Sequence, residues 1–157
     1  MPYPSFKIEN TILKTASYNN LTFSDIKTID TFGLYSVFNS CTGITGTVSF
    51  PELTTVGDNG LAFAFSSCTG ITGVSFPKLS SVGYCGLYYS FSGCTGLTSI
   101  SFPSLVSVDS DGLDQMLRNA NNVTAIHFRA DAQSVIQSTT GYSNKFKASF
   151  ATIYFDL

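Results

Sequence analysis

The sequence predicts an α/β solenoid, in which one short parallel strand and one short helical turn recur in each repeat of 26–27 residues. Three similar segments begin at Cys41, Cys68 and Cys94, and they read CTGITGTVSFPELTTV, CTGITGVSFPKLSSV and CTGLTSISFPSLVSV. Self-similarity at a short fixed period is typical of solenoids, whose neighbouring repeats stack to bury a continuous core. We expect a right-handed coil forming a single domain over residues 1–157, with repeats at 21–128 and a cap at each end.

Each repeat opens with a strand. In the third segment Leu97, Ile100 and Phe102 fall on one side of the alternation and Ser99 and Ser101 on the other, which is the period-2 pattern of a half-buried strand. A proline follows at positions 51, 77 and 103 and ends the strand, because proline cannot donate to a ladder. The first of these repeats carries its extra residue before the proline, which places the insertion in the strand half.

A helical turn is predicted after the proline. An apolar pair spaced by three residues comes first, for example Leu53 and Val56, and a Gly-Leu step follows. Four residues after each leucine stands an apolar partner, and spacing i,i+4 puts both on one face of a helical turn. These pairs are Leu34/Phe38, Leu61/Phe65, Leu87/Phe91 and Leu113/Leu117. The glycines of this step, at 33, 60, 86 and 112, predict either a positive φ or a close backbone approach.

The two ends of the chain depart from the repeat and are predicted to cap it. Residues 1–20 alternate weakly around Phe6 and Ile8, which favours a short hairpin. At the other end, residues 129–157 predict a helix over 132–138 with Asp131 as its N-cap and Gly141 as its stop, then a strand at 151–155.

Composition excludes several classes of function. Only 11% of the residues are charged and the net charge is −2, so no basic stripe exists for nucleic acid. No run approaches the roughly 20 apolar residues of a membrane span, which predicts no membrane insertion. The N-terminal MPYPSFKIENTILK lacks the apolar run of a secretory signal. Retention in the cell, leaderless export, a place in a virion and a fragment of a longer protein all remain open.

The four cysteines do not have the spacing of a metal site, and we expect no metal and no cofactor. Cys41, Cys68 and Cys94 share one repeat position, so they would stack about 5 Å apart with parallel side chains, a poor geometry for a disulfide. We expect them to be buried, reduced thiols that pack as small apolar groups. Cys85 lies off that column and is expected to be more exposed.

The sequence also argues against an enzyme. His127 is the only histidine, with Arg129 and Asp131 on alternate positions and Ser101 as its expected cross-strand neighbour. General acid–base catalysis would need a carboxylate and a nucleophile placed beside this histidine, and no known catalytic motif accompanies it. We therefore interpret His127 as a surface residue on the last strand of the repeats.

The string FSGCTGLTSISFPSLVSV resembles the BspA-type leucine-rich repeat of bacterial surface antigens, over roughly residues 19–130. It departs from that family where Gly-Leu-x-x-x-Phe replaces the Ala-Phe before the cysteine, which lengthens each unit. The resemblance implies a leucine-rich-repeat solenoid with a surface or adhesion role and no catalytic activity. Similar repeats occur in phage-encoded proteins, so the resemblance implies a cell surface or a virion as the location.

Comparison of the repeats with one another separates fixed positions from variable ones. The variable positions flank the Gly-Leu step, and in the first three repeats they hold aromatic and small polar residues, a composition typical of antibody paratopes. Because they recur in every repeat, we expect them to form one continuous surface that binds a protein or a glycan. The candidate residues are Thr31, Phe32, Tyr35, Ser36, Asp58, Asn59, Ala62, Phe63, Tyr84, Cys85, Tyr88, Tyr89, Asp111, Asp114 and Gln115.

Three alternatives remain open at this point. In the first, the variable positions are ordinary surface positions whose residues drift neutrally. Drift in a soluble protein would, however, favour Lys and Glu, which these positions lack. The polar strand face is a competing binding surface, formed by Ser49, Gly73, Ser75, Ser99 and Ser101. The protein could instead be a structural solenoid that self-associates end to end. A further hypothesis is targeted diversification, since most residue types at the variable positions are one base change from an asparagine codon.

Overall fold

The computed structural model describes residues 16–157, and the hairpin predicted around Phe6 and Ile8 lies outside them. Two parallel sheets organise these residues. The long sheet has the order β1-β3-β5-β7-β9-β10 and the short sheet has the order β2-β4-β6-β8. The strands are β1 (Tyr18–Asn19), β2 (Thr28–Ile29), β3 (Ile44–Ser49), β4 (Thr55–Val56), β5 (Ile71–Ser75), β6 (Ser81–Val82), β7 (Ser99–Phe102), β8 (Ser107–Val108), β9 (Ala125–Phe128) and β10 (Thr152–Phe155).

The long sheet confirms the predicted strand of each repeat. Its register places like residues on like, with Ser49 opposite Ser75 and Ser75 opposite Ser101. The extra residue of the first regular repeat is accommodated by a β-bulge between Gly46 and Thr47, where the pairing shifts and Gly46 has a φ of 75°. The insertion is therefore absorbed within the strand, and the rest of the repeat stays in register.

The short sheet consists of one further strand from each repeat. The sequence pattern did not predict these strands. Each of its strands has two residues, and Val56 lies opposite Val82, which lies opposite Val108. A two-residue strand is too short to show an alternating pattern, so the spacing of Leu53 and Val56 gave no strand signal.

The predicted helical turns are wrong. Residues 30–41, 57–68, 83–94 and 109–120 instead form runs of consecutive β-turns, which we call the turn ladder. Within the first three runs alternate amides bond in two directions. The Gly33 amide donates to the Asp30 carbonyl three residues back (2.9 Å), whereas the next amide, of Leu34, donates to the Gly60 carbonyl of the following repeat (2.8 Å).

Repeat spacing explains why turns replace helices here. Parallel strands stack about 4.8 Å apart, whereas packed helices need about 8–10 Å. A helix in every repeat would force the two sides of the solenoid to advance by different amounts. The turn ladder removes this mismatch, because its backbone bonds to the next repeat as a strand does, as in Phe63 N to Tyr88 O (2.9 Å).

Left-handed residues make the turn ladder possible. They recur every fourth position, for example at Asn59 (φ 54°), Phe63 (56°) and Ser67 (61°) in the second run. The glycine that follows Asn59, and its counterparts in the other repeats, do not have a positive φ. At Gly86 an added Cβ would lie 2.7 Å from Val82 Cγ1 and 3.1 Å from the Gly83 carbonyl oxygen. The glycine column therefore reflects close approach, the second of the two predicted explanations.

Two stacks of phenylalanine rings form the core. One column runs through Phe23, Phe50, Phe76, Phe102, Phe128 and Phe155, with successive ring centroids 4.5–5.9 Å apart. The second contains Phe38, Phe65 and Phe91, spaced 5.1 and 5.9 Å. Edge contacts such as Phe76–Phe91 (6.2 Å) join the two columns. Stacking of identical residues thus places one ring above another through the length of the core.

The C-terminal segment differs from its prediction in the start, the cap and the end of its helix. Helix α1 spans Gln133–Gln137 after a 3₁₀ turn at Ala130–Ala132, and no side chain caps it. Asp131 is not its N-cap, because its carboxylate accepts hydrogen bonds from Arg129 (2.5 and 2.6 Å). The helix also ends before Gly141. The predicted final strand is confirmed as β10, and no helix within residues 16–157 has the length and apolarity to span a bilayer.

Candidate ligand-binding surface

Five aromatic side chains of the turn ladder form a continuous surface, which we call the aromatic stripe: Phe32, Tyr35, Phe63, Tyr88 and Tyr89. Ring centroids follow one another at 5.5 Å (Phe32–Tyr35), 5.8 Å (Tyr35–Phe63) and 5.6 Å (Phe63–Tyr88). Tyr89 stacks on Phe63 at 5.0 Å. The stripe therefore crosses three repeats without a break.

The stripe is partly open to solvent. Phe32 and Tyr35 expose 49% and 44% of their surface, whereas Phe63, Tyr88 and Tyr89 are half-buried among the rings. Phe63 and Tyr89 occupy left-handed backbone positions, with φ of 56° and 54°. Bulky residues are uncommon there, because the left-handed conformation costs a non-glycine residue about 1–2 kcal/mol. Aromatic side chains are thus present at positions where local backbone preference disfavours them.

Arg118 closes the C-terminal end of the stripe. Its guanidinium lies 5.6 Å from the centroid of the Tyr89 ring, and Nη1 donates a hydrogen bond to Tyr89 Oη (2.6 Å). Arg118 is not among the candidate residues predicted from the repeat pattern. It stands outside the aligned variable positions, and only the fold brings it onto the tyrosine.

Four aspartates lie on the turn ladder that carries the stripe, and we call them the acidic edge: Asp58, Asp109, Asp111 and Asp114. Asp58 Oδ1 accepts a hydrogen bond from the backbone amide of Tyr84 (2.9 Å), which fixes one carboxylate beside an aromatic ring that is 48% exposed. A hydrogen bond with Cys85 and the negative charges of Asp111 and Asp109 raise the pKa of the Tyr84 hydroxyl. The negative charges of this edge therefore act together on the side chains of Tyr84 and Cys85.

The remaining candidates are distributed around these two features. Thr31 is exposed, and Ser36 and Asn59 are half-buried. Gln115 donates to the Asp114 carboxylate at 3.3 and 3.4 Å, and its Oε1 is buried without a hydrogen-bond partner among the described residues. Ala62 contradicts its prediction as a surface residue, because it is fully buried. Its methyl group is too short to extend to the surface that the neighbouring aromatic rings form.

The competing strand face is flat and polar, as predicted. Ser49, Ser75 and Ser101 are aligned by the register of the long sheet, and Ser49 Oγ lies 2.9 Å from Thr22 Oγ1. These side chains are small and nearly identical from one repeat to the next. They offer a ligand few distinguishing contacts compared with the aromatic stripe.

His127 lies on β9 at the end of this strand face. Ser101 is its register partner, as predicted, but no hydrogen bond joins the two side chains. The imidazole ring instead stacks on Tyr154 (4.8 Å, interplanar angle 12°), and Nδ1 lies 2.9 Å from the Asp156 carboxylate. The ring therefore fills its place in a cross-strand stack. No group of His, Cys, Asp and Glu within residues 16–157 is arranged to hold a metal ion.

The cysteine column is buried, as predicted, and no disulfide joins its thiols within residues 16–157. Each of two thiols donates to a carbonyl of the preceding repeat, Cys68 to Phe38 O (3.0 Å) and Cys94 to Phe65 O (3.1 Å). Burial raises the pKa of the Cys68 thiol from 9.0 to about 12 and raises that of Cys94 as well. Cys85 is only half-buried, which confirms its predicted difference from the column.

This burial predicts the reactivity of the thiols. Burial keeps the Cys68 thiol protonated at pH 8 by raising its pKa, and the thiolate is the reactive species. We expect Ellman's reagent to modify Cys85 alone in the native protein and Cys41, Cys68 and Cys94 only after denaturation. The reaction at Cys85 should be slower than that of free cysteine, because partial burial raises its pKa too. Native modification that survives the substitution Cys85→Ser would contradict the burial of the column.

Comparison with known proteins supports the fold. No protein-family model and no curated protein matches the chain. A solved structure of a leucine-rich cell surface protein from Faecalibacterium prausnitzii A2-165 is similar, with a TM-score of 0.53 and 15% sequence identity. The alignment covers 88% of this chain and 32% of that one, so the chain spans about a third of its length. The chain thus has a repeat-solenoid fold similar to that of this leucine-rich protein.

Proposed function

We propose that this protein is a non-enzymatic recognition or adhesion module that binds a protein or a glycan through the aromatic stripe, at a bacterial or phage surface. The observation that carries the proposal is the unbroken contact of five aromatic rings across three repeats. Exposed aromatic groups of this extent are costly in a soluble protein and typically mark an interaction site. The surface location is supported by the sequence resemblance and by the fold shared with a cell surface protein.

The decisive experiment is a binding screen with two matched variants. We expect the wild-type protein to bind a component of a glycan array or a bacterial surface-protein array. Tyr35→Ala/Tyr88→Ala should weaken that binding at least about 30-fold, since truncating a hot-spot aromatic residue costs about 2 kcal/mol or more. Ser75→Ala/Ser101→Ala, on the strand face, should leave it unchanged.

The reverse result would contradict the proposal. Binding that is lost in the serine variant and kept in the tyrosine variant would move the site to the strand face. Circular dichroism of each variant separates lost binding from lost folding. Both tyrosines retain solvent exposure, so their removal leaves the phenylalanine core intact.

We further propose that the variable positions are diversified. Aromatic residues at left-handed positions support this, because Asn, whose codon would be the template, is favoured there and Phe and Tyr are not. Sequencing the gene in related isolates is the test. Base changes should concentrate in the variable codons, and silent changes spread evenly through the framework would contradict diversification.

A structural, self-assembling solenoid is the second candidate. It is favoured by β10, which lies at an edge of the long sheet and pairs only with β9 among the described strands. An exposed strand edge is a ready template for another chain. Sedimentation as a monomer at all concentrations would exclude this candidate.

A further inference from the structure

Two properties of the stripe restrict the chemistry of its partner, given that it binds a ligand as proposed above. The first is charge. No carboxylate of the acidic edge forms an ion pair with a residue of the described chain, where the ion pairs are Lys78–Glu52, His127–Asp156 and Arg129–Asp131. The nearby cation Arg118 is already bound to Tyr89. The edge therefore presents negative charge that nothing in residues 16–157 neutralises by direct contact.

The second property is the orientation of the rings. Sugars usually bind to aromatic residues by lying on an open ring face. The central ring of the stripe, Phe63, has Tyr89 stacked on it (5.0 Å, interplanar angle 18°) and two further rings, Tyr35 and Tyr88, against it. One face of Phe63 is therefore covered by Tyr89, and Tyr35 and Tyr88 contact the ring in edge geometry. This arrangement suits a partner that packs side chains against ring edges and hydroxyl groups better than one that stacks sugar rings.

We infer that the stripe and its acidic edge together bind a basic protein epitope, in which Lys or Arg side chains meet Asp58, Asp109 and Asp111 and apolar side chains cover the aromatic rings. Complementary charge across an interface speeds association and selects the partner. A cationic side chain also gains from the exposed ring of Tyr84, a residue whose backbone amide donates to Asp58.

A displayed library of a small folded domain with randomised surface positions tests the inference. Selection uses the folded wild-type protein, followed by removal of clones that also bind Tyr35→Ala/Tyr88→Ala. We expect Lys and Arg to be enriched about threefold over the unselected library and Asp and Glu to be depleted. The association rate of the selected clones should fall about tenfold or more as salt rises from low to about 0.5 M.

Matched charge variants complete the design. Asp58→Asn/Asp109→Asn/Asp111→Asn removes three charges and keeps the shape and the acceptor oxygens that bond Tyr84 N and Ser110 Oγ. The selected clones should bind this variant about tenfold or more weakly than they bind the wild-type protein. Asp25→Asn/Glu52→Gln/Asp156→Asn removes three charges elsewhere and should not change the affinity.

The outcomes separate this inference from the proposed function. Two results would overturn the basic epitope and leave recognition by the stripe intact. In one, the stripe-dependent clones show no enrichment of Lys and Arg. In the other, these clones bind the acidic-edge variant with unchanged affinity. A stripe-dependent glycan ligand on the array would also overturn it. Failure to recover any clone or array ligand that depends on Tyr35 and Tyr88 would overturn the proposed function itself.

Discussion

Replacing Phe76 by alanine should destabilise the protein by about 3–5 kcal/mol, the cost typical of truncating a buried phenylalanine. Phe76 is 1% exposed and stacks between Phe50 (5.4 Å) and Phe102 (5.8 Å), with Phe91 against its edge (6.2 Å). The backbone on either side is bonded to neighbouring repeats, so the cavity cannot collapse easily. Urea unfolding followed by circular dichroism measures the change.

Phe150 provides the matched control, because it is 72% exposed and lies outside the ring columns. Phe150→Ala removes the same atoms and should change the free energy of unfolding by less than about 0.5 kcal/mol. Phe76→Leu should fall between the two, since leucine fills part of the space. If Phe76→Ala lowered the free energy of unfolding by less than about 1 kcal/mol, that result would contradict the continuous ring column.

Gly86→Ala should destabilise the protein by about 1–3 kcal/mol, the usual cost of adding a methyl group to a packed interior. The new Cβ would lie 2.7 Å from Val82 Cγ1, on a strand that is hydrogen-bonded on both sides. The Gly83 and Gly57 carbonyl oxygens at 3.1 and 3.3 Å leave it no other direction in which to move. Thermal unfolding of the two proteins measures the difference.

A double-mutant cycle tests the cause. In a Val82→Ala background the nearest atom is gone, so the additional cost of Gly86→Ala should fall to less than half its value in the wild type. An equal cost in both backgrounds would show that contact with Val82 is not the reason for the glycine. Left-handed strain is not an alternative explanation, because Gly86 does not have a positive φ.

The sequence determined those features that depend on local pattern and on the period. Alternation before Pro51, Pro77 and Pro103 located the strands of the long sheet. The one-residue insertion indicated the half of the repeat in which the structure has its bulge, at Gly46. Equal repeat lengths placed Cys41, Cys68 and Cys94 in one buried column. The same reasoning aligned the variable positions, because identical spacing stacks position i of one repeat on position i of the next.

The turn ladder was decided by contacts between repeats. Leucine and phenylalanine four residues apart face the core in a helix, and they also do so in two successive turns when a left-handed residue lies between them. Phe63 at such a position gives no local signal, because its backbone preference opposes the conformation it adopts. The hydrogen bond from Phe63 N to Tyr88 O decides in favour of turns, and it exists only once the repeats have stacked.

The same limit applies to the candidate surface. Repeat spacing identified its positions, but only the tertiary structure buried Ala62, brought Arg118 onto Tyr89 and gathered unpaired carboxylates around Tyr84. It also drew Asp131 to Arg129 and away from the helix it was expected to cap. Periodicity determines which residues lie above one another. The burial of each side chain and the pairing of charges depend on packing between residues that the sequence separates by a full repeat or more. Only the tertiary structure therefore decided them.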